Sequence, residues 1–228
     1  MANTLFLRLE GPLQSWGERA RWSVRDTAPE PTKSGIVGLL ACALGWNQDD
    51  DLRLLSSKIR MGVRCDKPGT RLVDYHTVGG GYGDEPMLLT AEGKPKYIPG
   101  SKTPHTEPTH RAYLSDASFF IVIQCDEETV SQLEYAIQNP VWPFYLGRKS
   151  CPPSQPVFAG IGDFPTLREA LADKAPEFTT RIVLECSPNE QNAVRRRDEV
   201  DSRAYRTFLP RYVKDDLLEG SAPNTEAA

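Results

Sequence analysis

The chain has 228 residues, 27 of them basic and 31 acidic, and its formal net charge at pH 7 is −4. This length allows one large domain or one domain with a sizeable insertion. The charge excludes a polybasic arm, so any nucleic-acid site must be a local basic patch. Five well-separated cysteines, no stretch able to span a bilayer and no signal-peptide core favour a cytoplasmic, non-membrane protein.

The N-terminal part of the chain shows two kinds of hydrophobic period. Alternation of apolar and polar side chains predicts strands, and spacing of three to four residues predicts a helix. In chain order the pattern predicts a strand (4–10), a structured loop (11–31), a helix capped by Thr32 and ended by Gly45, and two strands (58–66 and 71–78). The strand at 58–66 has one apolar and one cationic face. A basic sheet surface fits this pattern, although one charged strand face is usually just solvated.

The remainder of the chain predicts a projecting insertion followed by further core elements. Gly, Pro, Thr and Lys dominate the segment from Gly79 to about Thr109, which is typical of an insertion with a β-hairpin. After it come a strand (116–125), a helix (127–139), another strand (179–186) and a polar C-terminal region with a frayed end (221–228). This order predicts an α+β, ferredoxin-like sandwich with additional C-terminal strands.

The segment 143–153 (PFYLGRKSCPP) has the strongest chemical character. Gly147 lets the backbone approach a ligand closely, Arg148 and Lys149 supply charge, Ser150 supplies a donor and Tyr145 offers a stacking face. These properties suit phosphate and base contacts. An ordinary solvated turn with two exposed cations fits the composition as well, and composition alone favours it.

A second candidate is the loop at 11–31, where cations alternate with tryptophans. The residues are Trp16, Arg19, Arg21, Trp22 and Arg25. Single-stranded nucleic-acid grooves have this composition. Two tryptophans that anchor a loop to the core, with arginines in water, explain the pattern at least as well.

Acid–base chemistry has candidate residues at the end of the third predicted strand. A metal-free ribonuclease needs a base and an acid, which Tyr75, His76 and a lysine could supply. A strand-end histidine bonded to the backbone is the favoured interpretation. Phosphate-binding glycine loops, nucleophile elbows and zinc motifs do not occur, so we expect no metal and no cofactor.

Six short blocks between Leu5 and Pro152, taken together in this order, point to a family. They are LFLRLEGPLQSWG (5–17), PTKSGIVGLLACALG (31–45), VRCD (63–66), DYHTV (74–78), RAYLSDASF (111–119) and YLGRKSCP (145–152). Each block alone is weak, but the ordered set is specific. The set resembles the CasD subunits of type I-E CRISPR Cascade complexes, which are RRM-like proteins of the RAMP superfamily.

The resemblance implies an RRM-like core at 1–78 and 111–228, with a C-terminal extension, and an inserted thumb at 79–110. It implies a non-catalytic subunit that caps the 5′ handle of the CRISPR RNA and contacts a CasC-type backbone subunit and a CasA-type large subunit. Target DNA would be a partner through the complex. Related type I-C subunits cleave RNA, so a metal-independent endoribonuclease that processes CRISPR repeat RNA is the alternative.

The resemblance also assigns candidate RNA-binding residues by position. They are Gln14, Trp16, Arg111, Tyr145, Gly147, Arg148, Lys149 and Ser150, with no catalytic residue. In the thumb, Lys94, Lys96 and Lys102 are candidate contacts to the RNA backbone. Ala112 departs from the family, where an acidic residue is commoner, and the region after Gly162 is not recognisable and stays unassigned.

Overall fold

A computed structural model describes residues 2–18, 23–80, 88–174, 176–202 and 204–221. Its strands are β1 (Thr4–Glu10), β2 (Leu13–Gln14), β3 (Val24–Arg25), β4 (Arg60–Lys67), β5 (Thr70–Gly79), β6 (Thr106–Ser115), β7 (Ser118–Gln124), β8 (Phe158–Gly162), β9 (Thr180–Cys186), β10 (Val194–Ser202) and β11 (Thr207–Leu218). Its helices are α1 (Lys33–Leu44), α2 (Asp49–Lys58), α3 (Glu127–Gln138) and α4 (Leu167–Asp173). None of these helices has the length and hydrophobicity to cross a membrane.

The larger sheet is antiparallel and has seven strands in the order β10-β11-β9-β4-β7-β1-β8. Its part β8-β1-β7-β4, with α1 between β1 and β4 and α3 between β7 and β8, has the ferredoxin-like arrangement. The α+β, ferredoxin-like prediction is therefore confirmed. Three further strands, β9, β11 and β10, extend the sheet beyond β4, as the prediction of additional C-terminal strands required.

Helix α1 begins and ends where its sequence signals lie. The Thr32 hydroxyl accepts a hydrogen bond from the Gly35 amide, and Gly45 adopts φ 73° at the C-terminus. The apolar side of α1 packs with α3 on one face of the sheet, where Leu40 and Leu133 are fully buried. This face holds the main core.

The opposite face of the large sheet is covered by α4. Phe6 and Phe120 stack beneath it with ring centroids 5.5 Å apart, and Leu171 is fully buried against them. RRM proteins stack bases on aromatic side chains of the sheet. Since both rings are 2% exposed, this face offers no such platform.

The same covering corrects the prediction of a basic sheet surface at 58–66 for one of its cations, Arg64, while Lys58 and Arg60 are exposed. Arg64 is only 5% exposed, forms an ion pair with Asp66 at 2.6 Å and lies 4.6 Å above the Phe120 ring. Its Nη1 also donates to the Leu171 carbonyl at 2.8 Å. The side chain that alternation placed outside thus lies under α4, a helix that the sequence analysis did not predict.

A second, smaller sheet forms around the insertion. Strands β5 and β6 pair antiparallel from Thr70↔Ser115 to Gly79↔Thr106, and β2 and β3 add short pairings to β6. Residues 106–110 of the predicted insertion therefore belong to a strand. The division into an RRM-like core and a thumb at 79–110 stays a prediction.

The β10–β11 hairpin is joined to α1 by buried charges. The Asp198 carboxylate accepts hydrogen bonds from Arg211 Nε at 2.7 Å and Nη2 at 2.8 Å, and from the Lys33 backbone amide at 2.9 Å. The Lys33 ammonium, 1% exposed as a residue, donates to Glu185 Oε1 at 3.1 Å. An anion at the first turn of a helix satisfies an otherwise unpaired amide and the helix dipole.

The environment of Asp198 keeps it ionised. Burial alone would raise the pKa of this carboxyl, but the hydrogen bonds and charge of Arg211 outweigh burial and hold the pKa below its ordinary value. The ionised carboxylate is therefore the form that joins β10 to α1 and β11.

We expect Asp198→Asn to lower the free energy of unfolding by about 3–5 kcal/mol, because it removes the close charge partner of buried Arg211 and leaves only Glu185, at 3.8 Å. The matched control is Asp216→Asn on β11, whose ion pair with Arg168 is exposed and is worth about 1 kcal/mol or less. Chemical denaturation of both variants measures the difference. Equal losses would contradict the stabilising role of this cluster.

The contribution of Asp198 should also depend on pH. A carboxyl whose pKa is lowered by folding stabilises the protein above its unfolded pKa of about 3.9, and this stability is lost as pH falls through the folded pKa. The stability difference between wild type and Asp198→Asn should therefore shrink below about pH 4. Denaturant titrations across this range test it, and a difference independent of pH would contradict it.

Candidate nucleic-acid interface

An open cleft of about 1400 Å³ lies between the turn at Gly147–Arg148, the N-terminal half of α1 and the β10–β11 hairpin. Among the described residues that line it, one is acidic, Glu18, and six are arginines: Arg25, Arg148, Arg195, Arg196, Arg197 and Arg206. The chain as a whole is acidic. The cleft is therefore a local positive surface on a negatively charged protein.

The turn that forms one wall requires glycine. Gly147 adopts φ 93°, and a Cβ at this position would lie 1.8 Å from the Ser15 carbonyl oxygen. The Ser15 amide in turn donates to the Leu146 carbonyl at 3.0 Å, and Leu146 is fully buried. The turn is thus held against the loop after β1. The sequence predicted a close approach of the Gly147 backbone to a ligand, whereas the close approach in the structure is to Ser15.

Arg148 fixes this wall to the smaller sheet. Its Nη1 donates to the Ala112 carbonyl at 2.9 Å, and its Nη2 donates to the carbonyls of Arg25 and Asp26, each at 3.2 Å. The guanidinium also lies 4.7 Å above the Tyr113 ring. The charge remains at the cleft, but most of the donors are used within the protein, so Arg148 has a structural role that the sequence analysis missed.

Gln14 and Trp16 are buried, which is incompatible with direct contact to a ligand in this conformation. Trp16 is 1% exposed, its Nε1 donates to Gln14 Oε1 at 3.1 Å, and its ring packs against Gly35 of α1. Gln14 Nε2 donates to the carbonyls of Leu9 and Ala117. The expectation of a stacking face at Trp16 is corrected, because the ring anchors the loop to the core.

The other candidates carried by the resemblance remain accessible. Lys149 and Ser150 are exposed, and Tyr145 and Arg111 are half-buried. Ser150 Oγ lies 3.5 Å from the Tyr113 hydroxyl, and Arg111 Nε donates to Thr109 Oγ1 at 3.3 Å. The turn therefore presents a lysine, a hydroxyl and an aromatic ring near the cleft.

Several candidates lie elsewhere or cannot be placed. In the predicted thumb, Lys96 pairs with Glu107 at 3.5 Å, while Lys94 and Lys102 are exposed on the surface of the insertion. Arg19, Arg21 and Trp22 of the first loop lie outside the described residues.

The arginines of the β10–β11 hairpin are the residues that sequence reasoning missed. Arg195, Arg197 and Arg206 are exposed, and within the described part of the chain they form no ion pair. Their neighbour Arg196 pairs instead with Glu18 at 3.4 Å and with buried Glu30. The run of three arginines at 195–197 was a visible signal, but no predicted element placed it at the cleft.

The candidate acid–base residues do not converge. Tyr75 and His76 are successive residues of β5, so their side chains point to opposite faces of the strand. The centroid of the Tyr75 ring lies 5.4 Å from that of the His110 ring, and His76 Nδ1 lies 3.8 Å from an Asp74 carboxylate oxygen. Among the described residues no group of side chains is arranged to hold a metal ion.

Comparison with known proteins gives the family of the chain. The family model described as CRISPR-associated protein (Cas_Cas5) matches residues 4–214. The chain belongs to this family. "CRISPR system Cascade subunit CasD" of Escherichia coli (strain K12) is 36% identical over 189 residues, and the match covers 77% of this chain and 79% of CasD. The resemblance to CasD seen in the six sequence blocks is thereby confirmed.

Two solved structures share the fold of this Cas5-family chain. A chain of a "CRISPR RNA-guided surveillance complex" has a TM-score of 0.78 and 29% identity, over 95% of this chain and 90% of that chain. A "Crystal structure of Cas protein" has a TM-score of 0.68 and 33% identity, over 96% and 97% of the two chains. Both cover the β10–β11 region as well as the ferredoxin-like core, since each match spans nearly the whole chain.

We expect Gly147→Ala to destabilise the chain more than Gly100→Ala does. Both glycines have positive φ, which costs an alanine about 1–2 kcal/mol. Only at Gly147 does the added Cβ also collide with backbone, since nothing lies within 4 Å of a Cβ at Gly100. Thermal unfolding of the two variants measures the excess. Similar melting temperatures would contradict the close packing of the turn.

Proposed function

We propose that this chain is a non-catalytic, guide-RNA-binding subunit of a type I-E CRISPR Cascade surveillance complex and that it caps the 5′ handle of the CRISPR RNA. The proposal adopts for this chain the assembly named for its relative CasD. Its partners would be a CasC-type backbone subunit, a CasA-type large subunit and, through the complex, target DNA. It would act in the cytoplasm in antiviral defence.

The observation that carries the proposal is the concentration of arginine at one cleft of an acidic protein. Arginine binds phosphate through a planar set of donors, and backbone contacts supply most of the affinity for nucleic acid. Because the rest of the chain is more acidic than the whole, RNA is repelled elsewhere. A single strand should therefore bind at the cleft and not over the general surface.

The size and shape of the cleft favour a polymer over a small metabolite. Small-molecule pockets usually enclose about 300–1000 Å³ and bury most of their ligand. This cleft is larger, at about 1400 Å³, and open along the hairpin. An extended single-stranded segment, with its bases accessible to aromatic rings, suits such a groove.

The residues of the turn divide into contacts and supports. We propose that Lys149 and Ser150 contact phosphate groups of the RNA and that Tyr145 stacks on a base. Arg111, on β6, would also contact the RNA. Gly147 allows close backbone approach, and Arg148 contributes charge while it fixes the turn. Gln14 and Trp16 act through the loop that they anchor.

The endoribonuclease alternative receives no support from the arrangement of Tyr75 and His76, whose side chains diverge. It remains testable. Specific cleavage of repeat RNA by the purified chain in the presence of chelator, lost in His76→Ala, would establish it over the non-catalytic role.

We expect Lys149→Gln to weaken binding of guide RNA by the assembled complex and to lower the salt slope, log K against log salt, by about 0.7, the value for one phosphate contact with a single strand. The fold should be unaffected, because Lys149 is exposed. Fluorescence titration with labelled guide RNA at several salt concentrations measures both quantities.

The control for this prediction is Lys58→Gln. Lys58 is exposed at the end of α2 and belongs neither to the Gly147 turn, which carries Lys149, nor to the lining of the cleft. The Lys58→Gln substitution removes the same charge and should leave the affinity for guide RNA and the salt slope unchanged. If both lysine variants bind RNA with wild-type affinity and slope, Lys149 is not a phosphate contact. If the wild-type complex retains no guide RNA, the proposed function is wrong.

A further inference from the structure

The β10–β11 hairpin forms the wall of the cleft opposite the Gly147 turn. We propose that this hairpin is a second RNA-binding element, in which Arg195, Arg197 and Arg206 contact successive phosphates of the single-stranded RNA. The inference rests on the proposed function, because it names a further part of the same cleft. It assigns a binding role to a region for which the sequence resemblance provides no residue.

The charged side chains of β10 differ in exposure between the two faces of the strand. Alternation along β10 buries Asp198 and Val200 and leaves Arg195 and Arg197 exposed. Arg196 is half-buried and neutralised by Glu18 and Glu30. The two exposed arginines have no carboxylate partner among the described residues, so their charge is available to a phosphate. With Arg206, these two residues place three exposed arginines at one cleft, which favours a phosphate-binding surface over an ordinary solvated strand.

The tip of the hairpin adds a third cation and an aromatic ring. Arg206 adopts φ 52°, a left-handed conformation that Gly or Asn accepts at lower cost than arginine does. Its side chain nevertheless lines the cleft. The neighbouring Tyr205 is 84% exposed. Cations next to an exposed ring are the combination with which proteins bind single-stranded nucleic acid.

The wall is preformed because the hairpin is bonded to the helices behind it. Besides the Asp198 cluster, the Val200 amide donates to Ser56 Oγ at 3.1 Å, and Ser202 Oγ donates to Asp49 Oδ2 at 2.6 Å. These bonds tie both halves of β10 to α1 and α2. Binding therefore need not order the backbone that presents Arg195 and Arg197, which lowers its entropic cost.

The test is the triple variant Arg195→Gln, Arg197→Gln, Arg206→Gln in the assembled complex, with labelled single-stranded guide RNA as the probe. Loss of three phosphate contacts should lower the salt slope by about 2 and weaken binding at least tenfold, roughly the loss of one charge-assisted hydrogen bond. The matched control is Arg8→Gln, Arg60→Gln, Arg168→Gln. These three exposed arginines do not line the cleft, so the control should keep wild-type affinity.

The outcomes separate this inference from the proposed function. Wild-type affinity and slope in the hairpin variant, with weakened binding in Lys149→Gln, would overturn the inference and leave the proposed function standing. A hairpin variant that loses a protein subunit but keeps its RNA salt slope would identify a protein interface and overturn it too. Failure of the wild-type complex to bind guide RNA would overturn both. Thermal unfolding verifies that the variants remain folded.

Discussion

The buried carboxylate of Asp198 is the interaction on which the cleft depends. It satisfies the Lys33 amide at the start of α1 and pairs with Arg211 across the β10–β11 hairpin. An unpaired buried charge is costly, so the position of the hairpin and the position of α1 are set together. On the opposite wall Arg148 has the same function, with backbone carbonyl oxygens as its partners. The two walls therefore exist before any ligand binds.

Five of the six arginines that line the cleft fall into two groups, according to whether other groups of the protein bind them. Arg148 and Arg196 are held by the protein, and they shape the walls. Arg195, Arg197 and Arg206 remain exposed and form the surface that we assign to RNA. Arg196 pairs with Glu18 and Glu30 and so fixes β10, which also carries Arg195 and Arg197. A protein with a net negative charge can therefore still present a fixed positive groove.

Much of the fold could be predicted from the sequence, because β1 and β7 are strongly apolar strands, α1 and α3 have apolar residues at helical spacing, and these elements end at caps or turns. The hairpin could not. The buried side of β10 contains Asp198, paired with Arg211 from the next strand, so both sides of β10 look polar. The prediction of a stacking face at Trp16 was wrong for a different reason, because the burial of its ring depends on Gly35, which is distant in sequence. Spacing alone cannot distinguish such an anchor from a stacking ring. The glycine turn at 147 was recognisable from composition, but the contact with Ser15 that excludes a side chain there was not, because Ser15 is distant in sequence.

The most direct test of the cleft as the RNA site is photocrosslinking of the intact complex, assembled with guide RNA that carries photoreactive nucleotides in its 5′ handle. Mass spectrometry then identifies the crosslinked peptides of this chain. The account predicts crosslinks in residues 145–150 and 194–208, on the two walls of the cleft. Crosslinks confined to α3 or to the α4 side of the large sheet, with none in these two segments, would contradict it.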